Sequence, residues 1–497
     1  MNKTNASFSA VPAHVSGISH RLGRGGLAAM LVVVIAGCAM GPDYQRPSVE
    51  LPSAYTAFPG TAASQPSAES PASRLNADWW TRFNDPALNQ LIQDALARNV
   101  DLRAAAAQIE ETDALLRQTN AAYFPELDLA AAASRSRVST ATALPNVAPL
   151  VRDERRGALS TSFELDFWGK LRRGSESARA QALASEYGRD VVALTIGSTT
   201  AQAYFTLRSL DSQARALANV VAARKDSVVI FQARLDAGSI SEVEFQQASA
   251  AYAESQGQLT DTVRQRALIE HQLGALTGRV GRRIPESDAN ARLPVAPPVP
   301  VGLPSTLLER RPDVRAAEQN LVAANAQIGV AKAALFPSIS LTGSFGGQSS
   351  ALSTLLDSGA RIWSGGVGLA LPIFDAGKNL ARLDQTEARQ KLALANYQKA
   401  IETAFRETAD ALSNVGFAKR ASHEGEARFA AAQRALALVR ERYALGATGY
   451  IEVLEAQRSA NDAQIALIRN WQSEVTYTVD LMKSIGGGWG SLEAAKP

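Results

Sequence analysis

Two hydrophobic periods alternate along the chain, one near 3.5 and one of 2. Leu207, Leu210, Ala214, Leu217, Val221, Val228, Phe231 and Leu235 keep a three-four alternation, interrupted where Arg224 takes the expected apolar slot. That is the seam of a coiled coil. From Lys170 to Asp236 no proline intervenes, and a second such run extends from Ala376 to Leu445. At ~1.5 Å per residue each predicts a rod on the order of 100 Å, wider than a globular domain. The rest of the rod surface is rich in alanine, which suits close lateral packing of many helices. Glycines in Asp236-Ala237-Gly238 and Leu445-Gly446-Ala447 predict sharp turns with left-handed caps. Returning helices follow, from about Ser241 to Leu276 and from Tyr450 to Ile485. Shorter helices, Leu102 to Tyr123 and Pro312 to Phe336, would stack end to end with them.

Between the helices the period changes to 2, predicting four strands. Leu159, Thr161, Phe163, Leu165 and Phe167 alternate with Ser160, Ser162, Glu164 and Asp166. Ile339, Leu341, Gly343 and Phe345 alternate with Ser338, Ser340, Thr342 and Ser344. Trp363, Val367, Leu369, Leu371 and Ile373 oppose Ser364, Gly366, Gly368 and Ala370. The run from Glu126 to Val138 is mostly alanine, with Arg135 and Arg137 on one face. An amphipathic sheet packed on a helical domain is one reading of this pattern. The other is a membrane sheet, since the runs approach the roughly 9 to 11 residues that span a bilayer and their polar face suits a wet lumen. In lipid such a sheet must close, because unpaired edges are costly. Four strands enclose no useful lumen, so several protomers would share one barrel.

The chain also repeats itself. Asp101-Leu102-Arg103-Ala104-Ala105 recurs as Asp313-Val314-Arg315-Ala316-Ala317, and Ala122-Tyr123-Phe124-Pro125 as Ala334-Leu335-Phe336-Pro337, both at an offset of 212. Arg234, Gly238 and Glu244 recur as Arg442, Gly446 and Glu452 at an offset of 208. The expected organisation is a leader over 1–37, a proline-rich tail over 38–78, a first repeat over 79–278, a proline-rich connector over 279–312 and a second repeat over 313–497.

The leader changes the picture of where the chain acts. Arg21 and Arg24 precede an apolar run from Leu27 to Ile35, then Ile35-Ala36-Gly37-Cys38. This is a secretory signal, too short to span a bilayer as a helix. Its last four residues are similar to a bacterial lipobox. That resemblance implies acylation of Cys38 after cleavage, with Ala39 permitting sorting to the outer membrane; multiple acyl chains anchor firmly.

Of the 497 residues 46% are apolar, enough for a large core. Cys38 is the single cysteine, which excludes an internal disulfide or a cysteine metal cluster, and His14, His20, His271 and His423 have no metal-ligand spacing. Net charge is +3, but the leader holds Lys3, Arg21 and Arg24 and no acid, so the mature chain is balanced. Nothing suggests nucleic-acid binding. No motif joins a nucleophile to a base and no phosphate loop follows a strand, so the reading is that the protein is not an enzyme and carries no cofactor.

Taken together, these motifs resemble the TolC-like outer-membrane factors, in particular the lipoprotein branch of multidrug efflux. The resemblance rests on Cys38-Ala39-Met40-Gly41-Pro42-Asp43-Tyr44, on Trp79-Trp80 with Phe83 and Asp85-Pro86, and on the paired Phe-Pro steps. It rests further on Phe167-Trp168-Gly169-Lys170, Glu309-Arg310-Arg311-Pro312-Asp313, Pro372-Ile373-Phe374-Asp375-Ala376-Gly377 and the closing Gly486-Gly487-Gly488-Trp489. It implies a mainly α chain with a small β part: a long α-helical coiled-coil barrel plus a transmembrane β-barrel, four strands per protomer, in a trimeric channel-tunnel. The implied role is a passive exit duct in the outer membrane for drugs and other small toxic compounds. Its implied partners are two further copies of the chain, a periplasmic adaptor (membrane fusion) protein and an inner-membrane transporter.

The resemblance also assigns residues. Ile451 falls where a gate leucine is found, Glu455 where an aspartate forms a ring across the threefold axis, Arg458 where an arginine joins the closing network, and Tyr443 at a tyrosine on the adjacent helix. Glutamate in place of aspartate keeps the charge and lengthens the reach. From spacing alone Glu455 and Arg458 read as a solvated helix pair. Arg234, Leu235, Gly238 and Ser239 in one turn, with Arg442, Tyr443, Gly446 and Ala447 in the other, are the expected adaptor contacts. Two other roles remain open, a duct for protein secretion and a non-conducting helical lipoprotein scaffold.

Overall fold

The computed structural model describes residues 39–48, 78–139, 141, 150–286, 294–299 and 310–487. Cys38, Glu309, Gly488 and Trp489 lie outside these. The chain is mainly helical with one small antiparallel sheet. Its elements are α1 (Pro86–Arg98), α2 (Val100–Ala121), β1 (Glu126–Arg137), β2 (Val151–Leu165), α3 (Lys170–Asp236) and α4 (Glu242–Leu276). A second set follows: α5 (Pro312–Ala333), β3 (Ser338–Ser349), β4 (Arg361–Ala370), α6 (Lys378–Ala444) and α7 (Tyr450–Ser484). Lengths repeat between the sets: α2 and α5 have 22 residues each, β1 and β3 12, α3 and α6 67, and α4 and α7 35.

Residues 118–176 and 325–387, with the tail up to Asp43, form one compact unit; 44–117, 177–324 and 388–497 form another. Each draws on segments of both repeats, and in the sheet β1 pairs with β2 and β3 with β4 within a repeat while β2 pairs with β3 across them. In the first unit the four strands lie in sequence order, all antiparallel. β2 begins earlier than alternation predicts, at Val151 rather than Leu159. The extra stretch, Val151-Arg152-Asp153-Glu154-Arg155-Arg156, has no apolar alternation to announce it, yet pairs in register with β1.

The strand ends pass into long helices through aspartate caps. Asp166 accepts hydrogen bonds from the backbone N–H of Leu171 and Arg172, both at 3.0 Å. Asp375 does the same for Gly377 and Asn379, both at 3.0 Å. These satisfy orphan donors at a helix start. The tightness of the second step puts Ala376 and Gly377 at φ 54° and 84°.

In the second unit one core gathers Trp79, Trp80 and Phe83 with Leu88 and Ile92 of α1, Tyr204, Phe205 and Leu207 of α3, Leu273 of α4, and Val475, Val479 and Met482 of α7. The tryptophan pair and Asp85-Pro86 are therefore a core plug and a helix start: Asp85 accepts from Ala87 and Leu88 N–H at 2.9 and 3.2 Å and from the Tyr204 hydroxyl at 2.5 Å. A corresponding core joins Val314 and Leu321 of α5 to Tyr397 and Ile401 of α6 and Leu481 of α7. Buried Arg311 anchors the Arg-Arg-Pro-Asp motif, donating to the Ser484 carbonyl at 2.9 Å, Asp313 at 2.6 Å and Glu407 at 2.7 Å. Further along the tail, Arg46 forks onto buried Glu318 at 2.6 and 2.8 Å, and the Tyr44 hydroxyl donates to the same group at 3.1 Å.

Of the predicted seam on α3, Leu207, Leu210, Leu217 and Phe231 are buried. So is Arg224, which fills the seam by donating to the Ala251 carbonyl at 2.5 Å and pairing with Glu254 at 3.6 Å. By contrast, none of the 22 residues of α2 is buried. No helix among the described residues is long and apolar enough to cross a membrane.

Candidate functional site

The register sorts the sheet's two faces. Successive strand residues point to opposite sides, so Leu129, Leu159, Phe345 and Trp363 form one row across all four strands. On the same side lie the rows Phe163, Leu341, Val367 and Leu165, Ile339, Leu369. The opposite side carries Asp128, Ser160, Ser344 and Ser364 in one row and Glu126, Ser162, Thr342 and Gly366 in the next. The apolar side is uncovered, as much of the polar side is: Trp363 is 80% exposed, Val367 74% and Leu129 76%. A soluble sheet would bury that side. β1 and β4 pair on one edge only.

Where strands meet helices, Trp168 stacks on Phe336 with ring centroids 4.8 Å apart and donates its indole N–H to the Pro337 carbonyl at 2.7 Å. The described tail is strapped here. The backbone N–H of Met40 donates to the Trp168 carbonyl at 3.0 Å, and Asn325 donates to the Pro42 carbonyl at 2.8 Å. Arg173 donates to Asp43 at 2.6 Å and to the Met40 carbonyl at 3.3 Å. Three glycines admit the strap. Gly41 has φ +98°; a Cβ on Gly329 would sit 2.5 Å from the Met40 carbonyl oxygen; one on Gly169 would sit 2.9 Å from Ala39.

At the α3–α4 and α6–α7 turns the chain reverses through matching caps. Gly238 at φ 68° and Gly446 at φ 72° let Ser239 N–H reach the Arg234 carbonyl and Ala447 N–H the Arg442 carbonyl, each at 2.9 Å. The two turns are neighbours: Arg234 donates to the Tyr443 hydroxyl at 3.2 Å. Beneath them Phe231 and Tyr450 pack edge to face at 4.2 Å, with Ala248 and Val453. Burial pushes the Tyr450 hydroxyl above the ordinary phenol value.

Of the residues singled out in the sequence, the structure brings Arg234 and Tyr443 together and leaves the others at the surface. Arg234, Gly238, Ser239, Arg442, Gly446 and Ala447 are exposed, and Leu235 and Tyr443 half-buried. Ile451, Glu455 and Arg458 project from α7 into solvent, with Arg458 4.0 Å from Asp462. Sequence reasoning named Ser241 as a helix start and Glu244 as a repeated position but missed that they form a reciprocal capping box on α4. The Ser-x-x-Glu spacing was the available signal. The equivalent helix α7 starts at Gly449, which has no side chain to cap it.

The family model for outer membrane efflux proteins matches residues 91–279 and 303–487. The chain belongs to this family. Among relatives of this efflux protein, the solvent efflux pump outer membrane protein SrpC of Pseudomonas putida is 34% identical, with 92% of this chain and 97% of SrpC covered. Outer membrane protein OprJ of Pseudomonas aeruginosa is 34% identical over 93% and 96%, and the cation efflux system protein CusC of Escherichia coli K12 is 33% identical over 92% and 98%. The solved outer-membrane channel OprN superposes with TM-score 0.82 at 30% identity, covering 91% of this chain and all of that one. The open state of the MtrE channel of Neisseria gonorrhoeae gives 0.78 at 31%, covering 91% and 98%. The efflux protein is thus an exit duct of the outer membrane and not an enzyme.

Proposed function

We propose that three copies of this efflux protein close one twelve-stranded barrel from their 4-stranded sheets, continued by an α-helical barrel, and that the assembly conducts small toxic compounds passively outward. The observation that carries this reading is a sheet with an uncovered apolar face, a hydroxyl- and carboxylate-bearing opposite face and two unpaired edges. In lipid those edges must be closed, and copies of the same sheet are the partners available to close them. That α2 has no buried residue also supports lateral neighbours, since helices in proteins draw most of their stability from packing of a face.

Four finer assignments belong to this reading. The chain is a lipoprotein whose leader (1–37) is removed before Cys38 is acylated, the start of its tail (38–78) then being strapped at the strand bases through residues 39–43. The mature body is a first repeat (79–278), a connector (279–312) and a second repeat (313–497). Ile451, Glu455, Arg458 and Tyr443 form the periplasmic gate. The two turns receive helical hairpins of a periplasmic adaptor, which links the duct to an inner-membrane transporter. Relatives named for solvent, toluene, cation and antibiotic efflux align with this chain over 92–93% of its length, which supports cargo being chosen upstream of the duct. Mass measurement of the detergent-purified protein together with single-channel recording tests the central claim. Trimers that conduct support it, and a monomer without conductance rules it out. Cys38→Ala, exported by a non-lipoprotein signal, should still trimerise if the barrel is itself a sufficient anchor.

A further inference from the structure

Beyond the aromatic row, the apolar face changes character. The next row, Ala131, Gly157 and Gly347, ends in Arg361; Arg155 lies one row further between Ala133 and Ser349; and Arg135 lies beyond that, opposite Asp153. These arginines share the side of Trp363 and Phe345. Among the described strand residues Asp153 is the acid on this side, 3.7 Å from Arg135, whose side chain remains 74% exposed, and Asp357 lies four residues before Arg361 in the β3–β4 connection. The two bare glycines have an occupant: a Cβ at Gly157 would lie 3.7 Å from Leu355 Cδ2, and one at Gly347 would overlap the Leu355 carbonyl. The β3–β4 connection therefore folds down over this face, carrying Leu352 and Leu356 at 73% and 92% exposure. Arginines alone at a barrel rim would merely reach for water. Arginines beside outward leucines and a tryptophan form an amphipathic surface that fits a molecule with both acyl chains and anionic oxygens.

We propose that this surface binds a phosphorylated, multiply acylated glycolipid of the outer leaflet, with phosphates on Arg135, Arg155 and Arg361 and acyl chains along Leu352, Leu356 and Trp363. The guanidinium fork matches phosphate oxygens in pairs. The hairpin end is the outward end, because the opposite strand ends run into helices. The proposal rests on the reading of the apolar face as lipid-facing, and its test separates the two.

The purified protein in detergent is titrated with diphosphoryl lipid A, with its dephosphorylated form and with phosphatidylglycerol, and the unfolding temperature is followed. Diphosphoryl lipid A raises it; the other two do not. Arg135→Gln/Arg155→Gln/Arg361→Gln keeps the lipid-free unfolding temperature and needs about 100-fold more lipid, as loss of three surface cations implies. Leu352→Ser/Leu356→Ser also weakens the response. Equal responses of wild type and the triple-arginine variant overturn the proposal, as does an equal response to dephosphorylated lipid. An equal response to phosphatidylglycerol overturns the glycolipid as the source of the phosphate. Recording in phosphatidylcholine bilayers distinguishes the failures: conductance there with no lipid preference sinks this proposal alone, and no conductance sinks the membrane reading beneath it.

Discussion

Gly329 is one residue on which the tail depends. Nothing in the sequence marks it, because the need for a bare Cα arises from Met40 crossing it and Arg173 lying 2.7 Å from where a Cβ would stand. Gly329→Val should unseat the strap, costing about 1–3 kcal/mol as overpacking does. Limited proteolysis then cuts near Pro42 in the variant and not in wild type, while conductance persists; an equally protected tail would show that the strap tolerates the side chain. Two aspartates of the helical unit answer acid in opposite directions. Burial pushes Asp94 up, but its hydrogen bond from Arg282 at 2.6 Å and the charges of Arg279, Arg282 and Arg98 outweigh it and hold the carboxyl below 3.8. Its contribution is present above that value and lost as pH falls through the lower folded value. Asp94→Asn should therefore lower the unfolding temperature at pH 7, with the gap closing as pH falls below the ordinary carboxylate range. Asp480 is raised above 3.8, by burial first and Glu407 last, against Gln202 and Lys483. A raised carboxyl stabilises while protonated and loses that contribution as pH rises through the folded value. Asp480→Asn keeps an acceptor for Gln202 and should raise the unfolding temperature at pH 7 but not at pH 3.

At the scale of elements, what was legible followed from repetition of a local rule. The long helices could be read because dozens of residues without proline leave no other regular structure, and α3 runs from Lys170 to Asp236 as the sequence predicts. Three of the strands could be read because alternation is strict where one face is apolar. The start of β2 could not, because its first residues are charged on both faces and are held by register, Val151 to Glu154 with β1 alone and Arg155 and Arg156 with β3 as well. The helix α1 was hidden for another reason: its 13 residues are short, and its start was visible only as an Asp-Pro pair. The capping difference between the two turns yields a prediction of its own. Gly449 has extended backbone, φ −79° and ψ 162°, suited to an N-cap, and a Cβ there would meet only Ile451 Cγ2, at 4.0 Å. Glu452 already stands where Glu244 completes the box on α4. Gly449→Ser should therefore build a second capping box, adding about 0.5 kcal/mol to the start of α7. Hydrogen exchange at Ile451 to Glu455 should slow in the variant; unchanged exchange would mean that the first turn of α7 is held by packing of Tyr450 and Val453 rather than by its cap.

For the whole molecule, the open question is whether gate and docking surface are one device. The sequence could place Ile451, Glu455 and Arg458 on α7, but not tell a gate from a solvated helix face, since their partners would stand on other copies of the chain. Within one copy Arg458 lies 4.0 Å from Asp462, an exposed pair that contributes little. The contact between Arg234 and Tyr443 is different, because it ties a proposed adaptor residue of one turn to a proposed gate residue of the other. Arg442, four residues before Gly446, sits at the equivalent position of the second repeat and is exposed. Reversing its charge should disturb docking alone. Arg442→Glu should weaken adaptor binding and leave single-channel conductance unchanged, whereas Arg234→Glu should weaken binding and also raise conductance by releasing Tyr443. Glu455→Ala with Arg458→Ala should raise conductance and reduce cation selectivity without changing adaptor affinity, since a ring of carboxylates favours cations and its removal leaves Ile451 as the remaining constriction. These three measurements separate coupling from coincidence. Wild-type conductance in both Arg234→Glu and the double variant would place the constriction at another level of the duct, and unchanged adaptor affinity in Arg234→Glu and Arg442→Glu would move docking away from the turns.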